Sequence, residues 1–255
     1  GGPLPILGDK AHENMITFLK AIVQDWHQPA AILIISAHWE EDHAMVTSGS
    51  HPELIYDYYG FPAEAYHLQY PASGQPQLAR KIAELLMSQG IAAQQNGQRG
   101  FDHGMFIPLM LMYPSANTPC VQLSLLKNLN PQQHIDIGKA LQSLRKENIL
   151  VIGSGMSFHN LKRFVTQGND GDSENEAFDH WLLKTCAGDG ISATEREQRL
   201  IEWQQAPAAR YCHPREEHLL PLHVCYGIAC ADTPQAKVAF NAEIMGKKVT
   251  SFLWQ

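Results

Sequence analysis

Apolar residues recur along the chain with two different periods, and these periods predict helices and strands in alternation. Residues 11–26 repeat their apolar positions every three or four residues, as expected of a helix that buries one face. Residues 30–35 form a continuous apolar run, which is typical of a short strand buried on both faces of a parallel sheet. Segments of both kinds then follow each other to the end of the chain.

The remaining segments favour an α/β fold. The pattern predicts further strands at 44–47, 91–95, 120–125, 149–152 and 247–253. It predicts further helices at 76–89, 105–112, 131–146, 173–186, 194–204 and 216–231. We therefore predict a single layered domain over residues 1–255, built around a mostly parallel or mixed sheet. Residues 51–74 show no period and are rich in Tyr, Pro and Gly, so we interpret them as a loop that forms a pocket wall.

The composition is that of an ordinary globular protein. Hydrophobic residues make up 44% and charged residues 18%, which excludes a disordered chain. The net charge is -7 and no run of Lys or Arg could neutralise phosphates, so we do not expect nucleic acid as a partner. No apolar stretch is long enough to cross a membrane. Five cysteines without Cys-x-x-Cys spacing predict free thiols and a cytoplasmic location.

Four of the 13 histidines lie in unusual local sequences that are far apart in the chain. His38 follows the first predicted strand, and open α/β sheets bind ligands beyond the carboxyl ends of their strands. His103 lies in a turn-rich loop, His159 follows a Gly-Ser-Gly turn, and His218 falls in the first turn of a predicted helix. Imidazole binds transition metals and titrates near neutral pH. We interpret the four as a metal site in a cleft at the carboxyl edge of the strands.

Each histidine also has a simpler interpretation as a packing, turn or surface residue. The other histidines fall mostly on polar faces or in loops, and we interpret them as surface residues: His12, His27, His43, His51, His67, His134, His180, His213 and His223. His213 is close enough in sequence to compete with His218 for the same role. The chain has no Gly-x-Ser-x-Gly elbow and no His-Glu-x-x-His helix, so neither of these hydrolase signatures is present.

Several short motifs occur in a characteristic order. They are the opening Gly-Gly-Pro-Leu-Pro-Ile-Leu-Gly-Asp, then Ser-Ala-His-Trp, Gly-Phe-Asp-His-Gly, Val-Gln-Leu-Ser, Gly-Ser-Gly with His-Asn-Leu, and Glu-His-Leu-Leu-Pro-Leu. Together they cover nearly the whole chain, and they resemble the class III extradiol ring-cleavage dioxygenases of the DOPA 4,5-dioxygenase type. The resemblance implies an α/β fold with a metal in a cleft, and an enzyme that opens the ring of a catechol-type substrate with O2.

The resemblance also implies roles for the four histidines. His38 and His218 correspond to metal ligands. His159 corresponds to the catalytic base, which lies close enough to coordinate the metal in some states. His103 corresponds to a second acid/base or substrate-binding residue. The implied metal is Fe(II), with zinc as the alternative, because a site of histidines suits either ion.

Two further expectations concern the ligand set. The resemblance implies one more histidine ligand directly before the Gly-Gly-Pro opening, at a position that would precede Gly1. Some relatives use a carboxylate as the third ligand, and the matching position here is His218, with Glu216 and Glu217 beside it.

The substrate and the function leave alternatives open. The Tyr- and Phe-rich stretch from Tyr56 to Phe61, in the loop 51–74, is predicted to stack on the aromatic substrate, with Tyr56 and Phe61 as the substrate-binding residues, although core or subunit packing explains the stretch equally well. The alternative functions are a zinc-dependent hydrolase that uses a metal-bound water, and a metal-binding protein without activity. Monomer and dimer both remain open.

Overall fold

The computed structural model describes residues 2–165 and 172–255. In chain order, the strands of this part are β1 (Ala31–Glu41), β2 (Ala44–Thr47), β3 (Leu54–Ile55), β4 (Ala93–Asn96), β5 (Phe101–Asp102), β6 (Cys120–Leu126), β7 (Ile149–Ser154), β8 (Lys237–Ile244) and β9 (Lys247–Leu253). The α-helices are α1 (Glu13–Ile22), α2 (Pro76–Ser88), α3 (His103–Met112), α4 (Pro131–Ala140), α5 (Leu161–Val165), α6 (Ser173–Ala187), α7 (Ala193–Ile201), α8 (Ala209–Cys212) and α9 (Leu220–Ala229). No helix among these residues is long and apolar enough to span a membrane.

A mixed, mostly parallel sheet forms the centre, as the sequence predicts. Its strand order is β4-β2-β6-β1-β7. Strand β1 pairs in parallel with both β6 and β7, and β2 pairs in parallel with β4. The β2–β6 contact is antiparallel. Because β1 lies between two parallel partners, its carboxyl end meets theirs at one edge of the sheet.

The two faces of β1 explain its continuous apolar run. Leu33 and Ile35 belong to a core with residues of α2, α4 and α9, whereas Ile32 and Ile34 belong to a second core with residues of α3. All four side chains are fully buried. Alternate residues of a strand point to opposite faces, so helices cover the sheet on both sides.

Strand β1 is longer than the apolar run predicts. It continues through His38 to Glu41, and its register with β6 shifts between Ile35 and Glu40. The ladder with β7 ends at the pair Ser36 and Ser154. His38 therefore lies in an irregular extension of the strand rather than in a following loop. A bulge of this kind bends the strand locally and changes the direction of its side chains.

The last helix begins later than predicted. α9 starts at Leu220, and residues 217–219 form a turn, so His218 precedes the helix instead of occupying its first turn. Pro221 lies in the first turn of α9, where its missing N–H costs no helical hydrogen bond. Since proline is poorly tolerated further inside a helix, this position sets the helix start.

The sequence pattern also misses the two-residue strands β3 and β5 and the longer strand β8. β8 pairs with the predicted strand β9 as an antiparallel hairpin. Most of β8 is exposed or half-buried, so it lacks the apolar alternation that predicts a strand.

Four histidines that we predicted at the surface are buried: His12, His134, His213 and His223. The side chain of Asp9 contacts the His12 ring, and the backbone provides partners for the other three rings. Nδ1 of His134 contacts the carbonyl oxygen of Asn130, and Nε2 of His134 accepts a hydrogen bond from the Leu126 N–H. The two ring nitrogens of His223 contact the carbonyl oxygens of Leu219 and Leu200. The contacts of His134 with Leu126 and of His223 with Leu200 reach outside the helix that carries each histidine, so helical periodicity could not predict them.

Candidate metal centre

Four segments bring His38, His103, His159 and His218 to one cavity. They are the irregular end of β1, the first residue of α3, the loop after β7 and the turn before α9. The ring centroids of His38 and His218 are 4.9 Å apart, and those of His38 and His103 are 3.9 Å apart. The His159 and His218 rings stack at 3.3 Å. All four line a cavity of about 1200 Å³.

Two glycines allow the backbone segments around this cavity to approach closely. A Cβ placed on Gly155 would lie 2.2 Å from the carbonyl oxygen of His218. A Cβ on Gly104 would lie 2.6 Å from Ser36 Oγ and 3.1 Å from the His38 ring. Only glycine fits at either place without a shift of its neighbours. The Gly-Ser-Gly and Asp-His-Gly motifs thus have a packing role beside their histidines.

His218 has the properties of a metal ligand. It is 8% exposed, and its Nδ1 has no hydrogen-bond partner among the described residues. Burial and the neighbouring His159 and His38 lower the pKa of His218 well below its usual value. Burial and the adjacent His103 lower the pKa of His38 to about 3. Neutral imidazoles with an unshared lone pair bind divalent transition metals, so this pair of rings fits such an ion.

A carboxylate contacts each of the other two histidines. Asp57 Oδ1 accepts hydrogen bonds from Nδ1 of His103 at 2.8 Å and from its backbone N–H at 3.0 Å. Burial alone would raise the pKa of Asp57, but the hydrogen bonds from His103 and the charges of His103 and His38 together hold the pKa below its usual range. Glu217 Oε1 lies 3.3 Å from Nδ1 of His159.

Glu217 belongs to a chain of charges at the rim of the cavity. Arg215 binds both carboxylate oxygens of Glu40 at 2.5 Å and lies 3.4 Å from Glu217. Burial opposes ionisation of Glu217, but the hydrogen bond from His159 and the charge of Arg215 keep its pKa below the usual range. The carboxylates of Glu217 and Asp57 therefore stay charged at neutral pH beside the histidines.

A buried network supports the site from the sheet side. Asp102 accepts hydrogen bonds from Ser36 Oγ at 2.7 Å, Gln122 Nε2 at 2.7 Å and Arg99 Nη2 at 3.2 Å. It also accepts from the backbone N–H of Gly104 and so caps α3. Burial raises the pKa of Asp102, and the hydrogen bond from Ser36 partly offsets that effect. The network ties β1, β6 and the start of α3 together, next to His38 and His103.

Of the two aromatic residues predicted to bind substrate, Phe61 lines the cavity and Tyr56 does not. The hydroxyl of Tyr56 donates to the Leu68 carbonyl, and its ring packs edge-on against Phe106. Tyr58, which lies between Tyr56 and Phe61 in the predicted stretch, lines the cavity with its ring centroid 5.5 Å from that of His103.

His213 does not join the four histidines at the cavity. Its Nε2 lies 2.9 Å from the Ser157 carbonyl, and its ring packs against Phe178 and Trp203. Sequence reasoning also missed Asp57 as a partner of His103. A carboxylate within a Tyr-rich stretch of a predicted pocket wall was the available signal.

Comparison with known proteins identifies the family. The family described as the catalytic LigB subunit of aromatic ring-opening dioxygenase matches residues 6–252. The chain belongs to this family of metal-dependent ring-opening dioxygenases. Within it, the resemblance to the extradiol enzymes of the DOPA 4,5-dioxygenase type is confirmed by the relatives described next.

The dioxygenase tasH of Hapsidospora irregularis is 35% identical over 280 residues, covering 100% of this chain and 82% of that protein. The 4,5-DOPA dioxygenase extradiol of Beta vulgaris is 35% identical over 230 residues, with 88% and 84% covered. The structure titled uncharacterized protein JW3007 from Escherichia coli K12 superposes with a TM-score of 0.77 at 27% identity, with 94% and 92% covered. The protein is thus an extradiol ring-opening dioxygenase, and the zinc hydrolase alternative is not favoured.

Proposed function

We propose that this enzyme uses Fe(II) and O2 to open the ring of a catechol that carries a DOPA-like side chain. The observation that carries the proposal is the convergence of four histidines on one cavity, with Nδ1 of the buried His218 unpartnered among the described residues. The name of the Beta vulgaris relative supports the substrate class. Free thiols at all five cysteines support a cytoplasmic location.

In this proposal His38 and His218 hold the metal. Their depressed pKa values keep both rings neutral, as ligands must be. When bound, the iron supplies the site at which the two catechol oxygens and O2 meet and exchange electrons. Zinc would bind the same imidazoles but could not supply redox chemistry.

His159 and His103 move protons in this proposal. His159 takes the proton of one catechol hydroxyl, because a neutral imidazole is an efficient general base near neutral pH. Glu217 at its Nδ1 stabilises the imidazolium that this transfer creates. His103, on the other side of His38, takes the proton of the second catechol hydroxyl and returns it during ring opening. His159 also remains a candidate third ligand, since its ring stacks on His218.

The aromatic ring of the substrate lies beside Tyr58 and Phe61 in the proposal. Both residues line the cavity, and their ring centroids are 5.5 Å apart at an interplanar angle of 86°. The aromatic ring of a substrate beside them can make edge-to-face or offset-stacked contacts of the same kind with each of these two rings. We therefore assign substrate binding to Phe61 as predicted and to Tyr58 in place of Tyr56.

The test is reconstitution of the full-length protein under anaerobic conditions, with Fe(II) in one sample and Zn(II) in a matched one. We expect catechols with and without an amino-acid side chain to give oxygen uptake and a yellow semialdehyde only in the iron sample. Faster turnover of DOPA than of unsubstituted catechol supports the DOPA-like side chain that we propose for the substrate. Turnover of esters or amides in the zinc sample, without oxygen uptake in the iron sample, would overturn the proposal.

A further inference from the structure

We propose that Asp57 is a positioning residue, which fixes the ring of His103 so that Nδ1 is the protonated nitrogen and Nε2 is offered to the substrate. The inference deepens the proposed function, because it rests on a proton-transfer role for His103. The roles assigned above to the four histidines leave the contact of Asp57 with Nδ1 of His103 without an assigned function.

The geometry defines the tautomer. Asp57 Oδ1 lies 2.8 Å from Nδ1 of His103, which is well within hydrogen-bond distance. An ionised carboxylate has no proton to donate, so Nδ1 must be the donor. In the neutral ring the lone pair is then on Nε2, at the far side of the imidazole from Asp57. A free histidine prefers the opposite tautomer, so the carboxylate selects the less common form.

Two rings restrict the orientation of His103 further. The His38 ring lies at 3.9 Å between centroids, and the Tyr58 ring meets His103 edge-on at 5.5 Å. Tyr58 is the next residue after Asp57, so one loop supplies both the hydrogen bond from Asp57 and the ring contact from Tyr58 to His103. The ring of His103 is 12% exposed and the carboxylate of Asp57 is 24% exposed, so solvent only partly competes for the hydrogen bond.

Capping of α3 does not account for this arrangement. Asp102 already caps that helix through the Gly104 N–H. Asp57 adds a bond to the backbone N–H of His103, but its bond to the imidazole satisfies no backbone group. A ligand role is a second alternative, because Asp57, His38 and His103 lie close enough together to share an ion. The experiment separates the three roles.

The first measurement is the tautomer of His103 in ¹⁵N-labelled protein by long-range ¹H–¹⁵N NMR, without metal. We expect Nδ1 to be protonated in the wild type and in Asp57→Asn, whose amide oxygen also accepts hydrogen bonds. In Asp57→Ala we expect the proton to be found on Nε2. Protonation of Nε2 alone in the wild type, or an unchanged tautomer in Asp57→Ala, would overturn the inference. This readout is independent of whether any catechol is turned over.

The second measurement compares kcat, KM and bound iron. Asp57→Ala should lower kcat by about 10- to 100-fold, as loss of an orienting partner does, with KM and iron content unchanged. Asp57→Asn should restore most of kcat. Loss of iron in Asp57→Ala identifies a ligand instead, and an unchanged kcat identifies a cap alone; either result contradicts positioning. If the wild type itself lacks activity, the proposed function fails while the NMR result still decides the orientation.

The matched control is Ser192→Ala. Ser192 caps α7 by accepting from the Glu195 N–H, and it does not line the cavity. We expect this variant to lower Tm as the loss of a cap does, while kcat and the His103 tautomer stay as in the wild type. If kcat falls as much in Ser192→Ala as in Asp57→Ala, general destabilisation explains the loss of kcat in both variants.

Discussion

At the residue scale, local sequence predicts which histidines meet but not what accompanies them. The strand edge for His38 and the Gly-rich turn before His159 are visible in the sequence. The contacts of Asp57 with His103 and of Glu217 with His159 are not, because they form only after the loop and the turn have folded. Sequence spacing alone cannot supply contacts of that kind, and it could not show which side chains of the stretch from Tyr56 to Phe61 line the cavity.

Substitution of His159 and His38 should separate proton transfer from metal binding. We expect His159→Ala to retain most of its iron and to lose about 10²- to 10⁴-fold in kcat, the range for removal of a general base. His38→Ala should lose the iron itself. Elemental analysis and oxygen uptake measure the two properties, with the exposed His27→Ala as a control that keeps both. Equal loss of iron in the first two variants would identify His159 as a structural ligand.

At the element scale, periodicity predicts where helices lie better than it predicts where they end. α4 stops at Ala140, and residues 142–146 continue as a 3-10 helix, although the apolar pattern suits one helix over 131–146. α9 starts at Leu220 because of Pro221 and the turn that carries His218. Helix ends depend on caps and on tertiary contacts, which the apolar positions do not encode.

The neutral ring of His134 should make α4 sensitive to acid. Its Nε2 accepts from the Leu126 N–H, which protonation would prevent, and burial lowers its pKa from 6.5 to about 4. As the pH falls below 6.5 the unfolded chain takes up a proton that the folded protein does not. The stabilisation is therefore complete above pH 6.5 and is lost towards pH 4, at a cost of about 3 kcal/mol.

Urea unfolding of the wild type and of His134→Gln between pH 7 and pH 4 measures this effect. The amide of glutamine replaces both hydrogen bonds without titrating, so the variant should lose less stability on acidification. His27→Gln, at an exposed position, should keep the wild-type slope. A His134→Gln slope equal to that of the wild type would contradict the assignment.

Close contact between α4 and α9 depends on a pair of glycines. A Cβ on Gly138 would lie 2.2 Å from the Val224 carbonyl oxygen, and one on Gly227 would lie 2.2 Å from that of Ile135. We expect each Gly→Ala variant to lose about 1–3 kcal/mol of unfolding free energy, although alanine favours helix formation.

The double variant should lose less than the sum of the single losses, because both changes separate the same helices. Thermal or urea unfolding measures all three variants. The matched control is Gly97→Ala, which would place its Cβ 3.7 Å from Ser48 Oγ at an exposed position. An unchanged stability in Gly138→Ala would show that the two helices can separate without cost.

At the scale of the whole molecule, the α/β class and the sheet edge that carries the site follow from the sequence. The run 30–35 predicts a buried parallel strand, and ligand sites in open α/β sheets lie beyond such strands. The antiparallel β2–β6 pair and the hairpin partner β8 do not follow, because both depend on pairing between distant segments. The remote histidines meet because β1, β7 and the turn before α9 end at the same side of the molecule.

The most direct test of the account is a crystal of the protein grown with Fe(II) without oxygen and measured at the iron absorption edge. We expect one anomalous peak per chain, within coordination distance of an imidazole nitrogen of both His38 and His218. A peak elsewhere, or one that contacts only one of these two rings, would contradict the shared metal on which the proposed chemistry depends.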